Sequence, residues 1–243
     1  MGATPASACS FSAVNVSVEQ NGAPYFVCKR LIDLILGSLL FLFLLPLMLL
    51  VAIAIKLDTP GPVFFVHQRV GVKRRSEGGR TSWEVREFPF YKFRSMVNGA
   101  DQSLHQGHIR AFVQGQLPVH DGVCGAKFKM ANDVRITRVG WVLRRTSLDE
   151  LPQLLNVLKG EMSLVGPRPV PPYEVAEYKA AEMERLAALP GITGLWQVNG
   201  RGEIPFSEMM RLDREYVRNQ SLWLDFKILA ATIPAVVSGR GAK

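Results

Sequence analysis

A chain of 243 residues with 48% hydrophobic residues can bury a sizeable core, and its formal net charge of +8 asks for an anionic partner. A phosphorylated substrate, an anionic membrane surface and nucleic acid all fit that charge. The three cysteines, Cys9, Cys28 and Cys124, are scattered and form no C-x-x-C pair, which argues against a disulfide framework or a cysteine zinc site and suits a reducing compartment.

Residues 1–27 are rich in Ala, Ser, Asn and Gly without a sustained period and are expected to form a mobile tail. Next comes "LILGSLLFLFLLPLMLLVAIAI", residues 34–55, with no charge in it. At about 1.5 Å rise per residue this run is long enough to cross about 30 Å of hydrocarbon. It is too long and starts too late for an ordinary signal peptide, despite the cleavage-like Ala52-Ile53-Ala54. Lys29 and Arg30 stand before it, and Lys56, Arg69, Lys73, Arg74 and Arg75 follow. Cationic flanks prefer the cytoplasmic side, and a straight span would send one of them across. Pro46, near the middle, removes a backbone hydrogen bond and clashes with the preceding turn, so the helix is expected to kink there. A re-entrant hairpin keeps both flanks inside. Asp33, three residues after Arg30, is expected to pair with it at the interface.

After "DTPGP", a turn, residues 63–71 and 82–96 read as strands, with a polar loop between them and hence a hairpin. In "FPFYKFRSM" the period of two puts Lys92 and Arg94 on one face, a pair that could hold a phosphate or simply be solvated. Residues 97–130 lack periodicity and are expected to form a surface lid or loop. His105 and His108 lie three apart there without a third ligand, so a surface role is favoured over a metal site.

From Arg135 the density of features rises. Arg135, Arg138, Arg144 and Arg145 precede the adjacent acids Asp149 and Glu150. Leu151, Leu154, Leu155 and Leu158 repeat at i, i+3, i+4 and i+7, which predicts a short helix burying that stripe, ended by Gly160. Ser147 and Glu150 have the spacing of a capping box, whereas Pro152, lacking an N–H, is better tolerated with Asp149 as the N-cap. Under either reading both carboxylates lie at a helix N-terminus among arginines, which keeps them ionised. "VGPRPVPP", residues 165–172, is a rigid turn presenting Arg168, and a helix is predicted over 173–188. A Gly- and Pro-punctuated loop over 189–205 carries Trp196, Gln197, Asn199 and Arg201, groups suited to stacking and hydrogen bonding. Two helices close the chain. The last, bent at Pro234, fits either the core or a membrane interface with Trp223 at headgroup level.

These elements predict a mostly helical α+β chain. It would comprise the tail (1–27), a re-entrant membrane helix-kink-helix (28–56) and a catalytic domain with a small β-hairpin and interfacial helices (57–243).

"KRLIDLILGSLL", "YKFRSM", "RRTSLDELPQLLNVLKGEMSLVGPRP" and "PGITGLWQVNGR", in that order, resemble the bacterial sugar transferases, the monotopic phosphoglycosyl transferases. The resemblance covers roughly residues 28–240, and the short segment before the apolar run matches the family's short form. It implies transfer of a sugar-1-phosphate from a UDP-sugar to undecaprenyl phosphate, a polyprenol phosphate, with release of UMP. That is the initiating step of exopolysaccharide or glycoconjugate synthesis. It also implies the bacterial inner membrane, with the catalytic domain facing the cytoplasm. By resemblance Asp149 is the nucleophile that forms a covalent phosphosugar-aspartate, and Glu150 helps bind Mg²⁺. Lys92, Arg94, Arg144, Arg145 and Arg168 stand where family motifs place basic groups, and Gln197, Asn199 and Arg201 fall in the substrate segment. The chemistry is sensible: a carboxylate splits one phosphoryl transfer into two steps, a divalent ion neutralises diphosphate charge, and arginine forks suit phosphate oxygens. Two departures stand out: Leu45 precedes Pro46 where some members have Ser, and the hairpin loop over 74–81 is long. The rival readings are a Mg²⁺-dependent nucleotide-sugar hydrolase and a non-catalytic membrane adaptor. A nucleic-acid partner is not expected, since no groove-reading motif is present.

Overall fold

The computed structural model describes residues 22–77, 80–101, 103–116, 133–200 and 204–237. Helix α1 (Ala23–Asp58) leads into a two-stranded antiparallel ribbon of β1 (Phe64–Glu77) and β2 (Arg80–Phe93). Helices α2 (Ser103–Val113) and α3 (Arg138–Thr146) follow, then a 3₁₀ turn at Leu148–Glu150 and α4 (Gln153–Lys159). Strand β3 (Ser163–Val165), the single turn α5 (Pro172–Val175) and a 3₁₀ turn at Met183–Leu186 come next. Strand β4 (Gly191–Thr193), α6 (Leu195–Asn199), α7 (Phe206–Arg218) and α8 (Leu222–Val237) complete the order. The mostly helical α+β class is the one read from the sequence.

Several predicted boundaries move. The helix starts at Ala23, inside the expected tail, because Pro24 suits a first turn and the next two rings have partners. Tyr25 donates to Asp225 Oδ2 at 3.2 Å, and Phe26 packs edge-on to Trp83. The ribbon is longer than predicted: its register runs from Phe64 opposite Phe93 to Glu77 opposite Arg80, so most of the expected polar loop is strand. Val72, Trp83 and Val85 explain the extension, because they are buried in the main core with Val70, Phe88, Phe90, Val157 and Met162. Part of the expected lid is α2, fixed by buried Ile109 and Phe112. The helix predicted over 173–188 is instead two short turns, with the segment between them unwound. The PG-I-T run is strand β4, parallel to β3, rather than turn alone.

One face of α1 is buried along its whole length. Lys29, Asp33, Gly37, Met48, Val51 and Ile55 are buried, and Leu40, Phe41 and Leu44 lean on the core between them. Spacings of three and four place all of these on one side of the helix. The other side is bare: Ile35, Leu39, Leu42, Leu49, Leu50 and Ile53 are exposed, and Phe43 is 80% exposed. Pro46 lies inside this helix.

Polar groups fasten both ends. Lys29 Nζ donates to Asp225 Oδ2 at 2.8 Å and to the Val165 carbonyl at 3.0 Å. A buried lysine left without a partner would cost roughly 3–5 kcal/mol, so this pair holds α8 against α1. Asp33 accepts from Ser163 Oγ at 3.0 Å and Leu164 N at 2.9 Å. Arg30 donates to the Val157 and Leu158 carbonyls at 2.6 and 2.9 Å, the open end of α4. The expected Arg30–Asp33 pair therefore does not form, because the domain's backbone offers each a buried partner. At the far end Asp58 accepts from Val139 N at 3.2 Å.

Helix α8 packs on the core along one side and leaves apolar residues bare on the other. Ile228 and Asp225 are buried, while Trp223, Phe226 and Ile233 are exposed. Trp141 and Val142 on α3 are also exposed.

Candidate active site

The acid pair sits in a chain reversal, not on a long helix. Thr137 caps α3 by accepting from Gly140 N at 2.9 Å, and α3 ends at Ser147, whose φ of 60° is left-handed. The Ser147 N–H bonds the Leu143 carbonyl, and the chain turns sharply away. Asp149 and Glu150 then lie in the 3₁₀ turn, and α4 starts only at Gln153, with Pro152 as its N-cap and no side-chain cap bond. Both predicted caps are thus replaced. Ser147 closes the preceding helix, and Asp149 is three residues too early to cap α4. The carboxylates are consequently left to side-chain partners. The leucine stripe also shifts: α4 buries Gln153, Leu154, Asn156 and Val157, because α1 covers one flank and the ribbon the other. Asn156 clamps the ribbon, accepting from Tyr91 N at 3.2 Å and donating to the Pro89 carbonyl at 2.7 Å. Gly160 ends the helix as predicted, at φ 80°.

Lys92, at the end of β2, reaches the pair. Its Nζ lies 2.8 Å from Glu150 Oε1 and 3.6 Å from Asp149 Oδ2. Arg168 Nη1 donates to the same Glu150 oxygen at 3.3 Å. Arg168 is aimed by its neighbours: Val70 N donates to the Val170 carbonyl at 2.8 Å, laying this segment along the edge of β1. Arg185 Nη2 donates to the Arg168 carbonyl at 2.9 Å. Arg185 is itself buried against Asp213 at 2.7 Å and Glu174 at 3.8 Å. Burial pushes the Asp213 carboxyl up to about 6, against the pull of Arg185. Arg144 Nε donates to Ser95 Oγ at 2.9 Å. Burial holds the Arg144 guanidinium below its ordinary range, with the charge of Asp149 as the main opposing influence. Two carboxylates therefore face three cations, Lys92, Arg144 and Arg168, and Asp149 is only 7% exposed.

The other predicted residues fall elsewhere. Arg94 is buried, and its guanidinium donates to the Thr59 carbonyl at 2.7 Å and to those of Pro60 and Ile55, closing the end of α1. Arg145 is exposed and stacks on Trp141 at 5.2 Å, because consecutive helical residues point about 100° apart and Arg144 takes the inward direction. Gln197 donates to the Ile192 carbonyl at 3.1 Å and Asn199 is exposed; neither hydrogen-bonds the acids. Trp196 is core, packed with Phe112 and Phe206. Arg201 lies outside the described residues. His105 Nδ1 is 3.4 Å from Tyr173 Oη, and burial lowers its pKa. Two residues escaped the sequence reading. Arg185 gave no local signal, and Arg69 counted only as flanking charge until the strand register set it near Arg168.

Comparison with known proteins places the whole chain. The family model described as Bacterial sugar transferase matches residues 24–239. The exopolysaccharide production protein ExoY of Rhizobium meliloti is 38% identical over 216 residues, covering 89% of this chain and 88% of that protein. The galactosyl transferase CpsE of Streptococcus agalactiae is 38% identical over 234 residues, covering 96% of this chain and 47% of that protein. The UDP-glucose:undecaprenyl-phosphate glucose-1-phosphate transferase of Xanthomonas campestris is 39% identical over 239 residues, covering 93% and 43%. The chain thus spans under half the length of the latter two and most of ExoY. With its paired acids ringed by cations and a match running almost end to end, the chain belongs to the bacterial sugar transferase family.

Proposed function

We propose that the chain moves a sugar-1-phosphate from a UDP-sugar to undecaprenyl phosphate at the bacterial inner membrane and releases UMP, with Asp149 as nucleophile. The observation that carries the reading is the Asp149–Glu150 pair gripped by Lys92 and Arg168. It lies on a domain docked along one face of a long apolar helix. Names among the relatives, such as a glucose-1-phosphate transferase acting on undecaprenyl phosphate, agree with it.

In the first step an Asp149 carboxylate oxygen attacks the phosphorus bonded to the sugar-1-oxygen. The bond from that phosphorus to the bridging oxygen breaks, and UMP leaves with the electron pair. In the second step an oxygen of the lipid phosphate attacks the same phosphorus and the aspartate oxygen departs, regenerating the carboxylate. Lys92, Arg144 and Arg168 meet the charge on the phosphate oxygens. The donor set fits Mg²⁺, which takes one or two protein carboxylates and completes its shell with substrate phosphates and water. Glu150 is the residue that would hold it, and when bound the ion neutralises diphosphate charge.

Purified full-length protein in nanodiscs, given Mg²⁺ and either UDP-glucose or UDP-galactose, is expected to release UMP only when undecaprenyl phosphate is present. Free sugar phosphate without a lipid-linked product would replace this reading with the hydrolase.

The fold also supports a one-sided membrane attachment. A 36-residue helix is about 54 Å long at about 1.5 Å per residue, and polar contacts near both ends hold one domain. A straight crossing would drag that domain's polar groups into hydrocarbon. We read α1 as entering and leaving on the cytoplasmic side, its bare face in lipid, with the exposed Trp141, Trp223 and Phe226 at headgroup level. Single cysteines at Val27 and Leu57, both exposed, test this in a background lacking Cys9, Cys28 and Cys124. Both are expected to resist an impermeant maleimide applied from the periplasmic side and to react in inverted vesicles. Periplasmic labelling at either end alone would mean a span.

A further inference from the structure

Arg69 and Lys92 flank one ring. The Arg69 guanidinium carbon lies 5.4 Å from the Phe90 centroid and Lys92 Nζ lies 5.6 Å from it. The bridge between Val70 and Val170 then runs the Arg168 segment along the same strand edge, so that the charge of Arg168 acts on Arg69. Arg69 is poorly provided for. Its Nη1 donates to the Pro169 carbonyl at 3.3 Å, its Nε is buried with no acceptor, and it forms no ion pair among the described residues. Burial first, and the charge of Arg168 second, push its pKa down to about 10. Glu150, the carboxylate of the pair beside it, is already shared by Lys92 and Arg168.

A purely structural role does not account for this placement. Stacking on Phe90 and a single bond to a carbonyl use only part of a guanidinium's donors, and two neighbouring guanidiniums repel. The arrangement is what an anion would relieve, since a guanidinium offers several donors and matches phosphate oxygens. We propose that Arg69 is a phosphate-binding residue of the transferase site, taking oxygens of a bound phosphate group together with Arg168. This rests on the preceding functional reading. The phosphate belongs either to the UDP-sugar or to the lipid acceptor, which offer the same chemistry.

Full-length wild type, Arg69→Gln and Arg69→Lys in nanodiscs separate the possibilities. The measurements are UDP affinity, KM for each substrate, and the unfolding temperature without ligand. Arg69→Gln is expected to weaken UDP binding or raise one KM by about tenfold or more, as for a lost hydrogen bond to a charged group. Its ligand-free unfolding temperature should be unchanged or higher, because a repulsion is removed, and Arg69→Lys should recover part of the affinity. Weaker UDP binding assigns the nucleotide sugar, and a change confined to the lipid KM assigns the acceptor. Unchanged affinities for both substrates, or a lower ligand-free unfolding temperature, would overturn the proposal while leaving the transferase reading intact. Wild type that neither binds UDP nor turns over a UDP-sugar would remove both.

Discussion

Asp149→Asn should cut lipid-dependent UMP release by about 10³-fold or more, the scale of losing a nucleophile. The substitution keeps the shape of a side chain that is 7% exposed, so the 3₁₀ turn and the start of α4 should hold. It removes the negative charge facing Lys92, 3.6 Å away, and leaves an amide that cannot attack phosphorus. Substrate binding should survive or tighten, because a diphosphate no longer meets that carboxylate. The decisive measurement uses UDP-sugar labelled at the sugar-linked phosphate, without lipid acceptor. Wild type should carry label on the protein, and Asp149→Asn should carry none. Substantial UMP release by the variant would sink the nucleophile assignment, and the lipid would then have to attack directly.

Lys92→Met should cost about 10²–10³-fold, the range seen when one preorganised electrostatic donor is removed. Lys92 lies within 4 Å of both carboxylates, at 2.8 and 3.6 Å, and its side chain is 17% exposed. Methionine fills a similar volume without the ammonium. Glu150 would keep Arg168 at 3.3 Å, and the charge of Arg144 would still act on Asp149. The loss should show in kcat/KM for the UDP-sugar. Activity within a few-fold of wild type would mean that the contact only secures the turn.

Parts of this molecule were plain in the chain itself. The uncharged apolar run with cations on both sides specified a helix long and apolar enough to cross a membrane, because composition and length alone decide that property. The ribbon, Gly160 as a helix end and the two closing helices followed from local pattern. Asp149 and Glu150 were visible as adjacent acids behind a run of arginines, although their local conformation was misread. Pro152 correctly argued against the Ser147 capping box. The left-handed Ser147, the actual device that frees the carboxylates, has no strong local signature.

Sorting the cations required the tertiary structure. Lys92 and Arg94 read as equals two residues apart, yet one meets Glu150 and the other closes the carbonyls at the end of α1. Arg144 and Arg145 read as a pair, yet one faces inward and the other stacks on Trp141. Arg168 owes its aim to a strand-edge bridge with Val70 and to Arg185, both remote in sequence. The chain by itself determined that this protein carries an apolar helix and a carboxylate pair among basic residues, because charge and hydropathy are local properties. Which cations serve those carboxylates was decided only by fold, because a side chain's direction depends on register and on the partners that packing brings within reach.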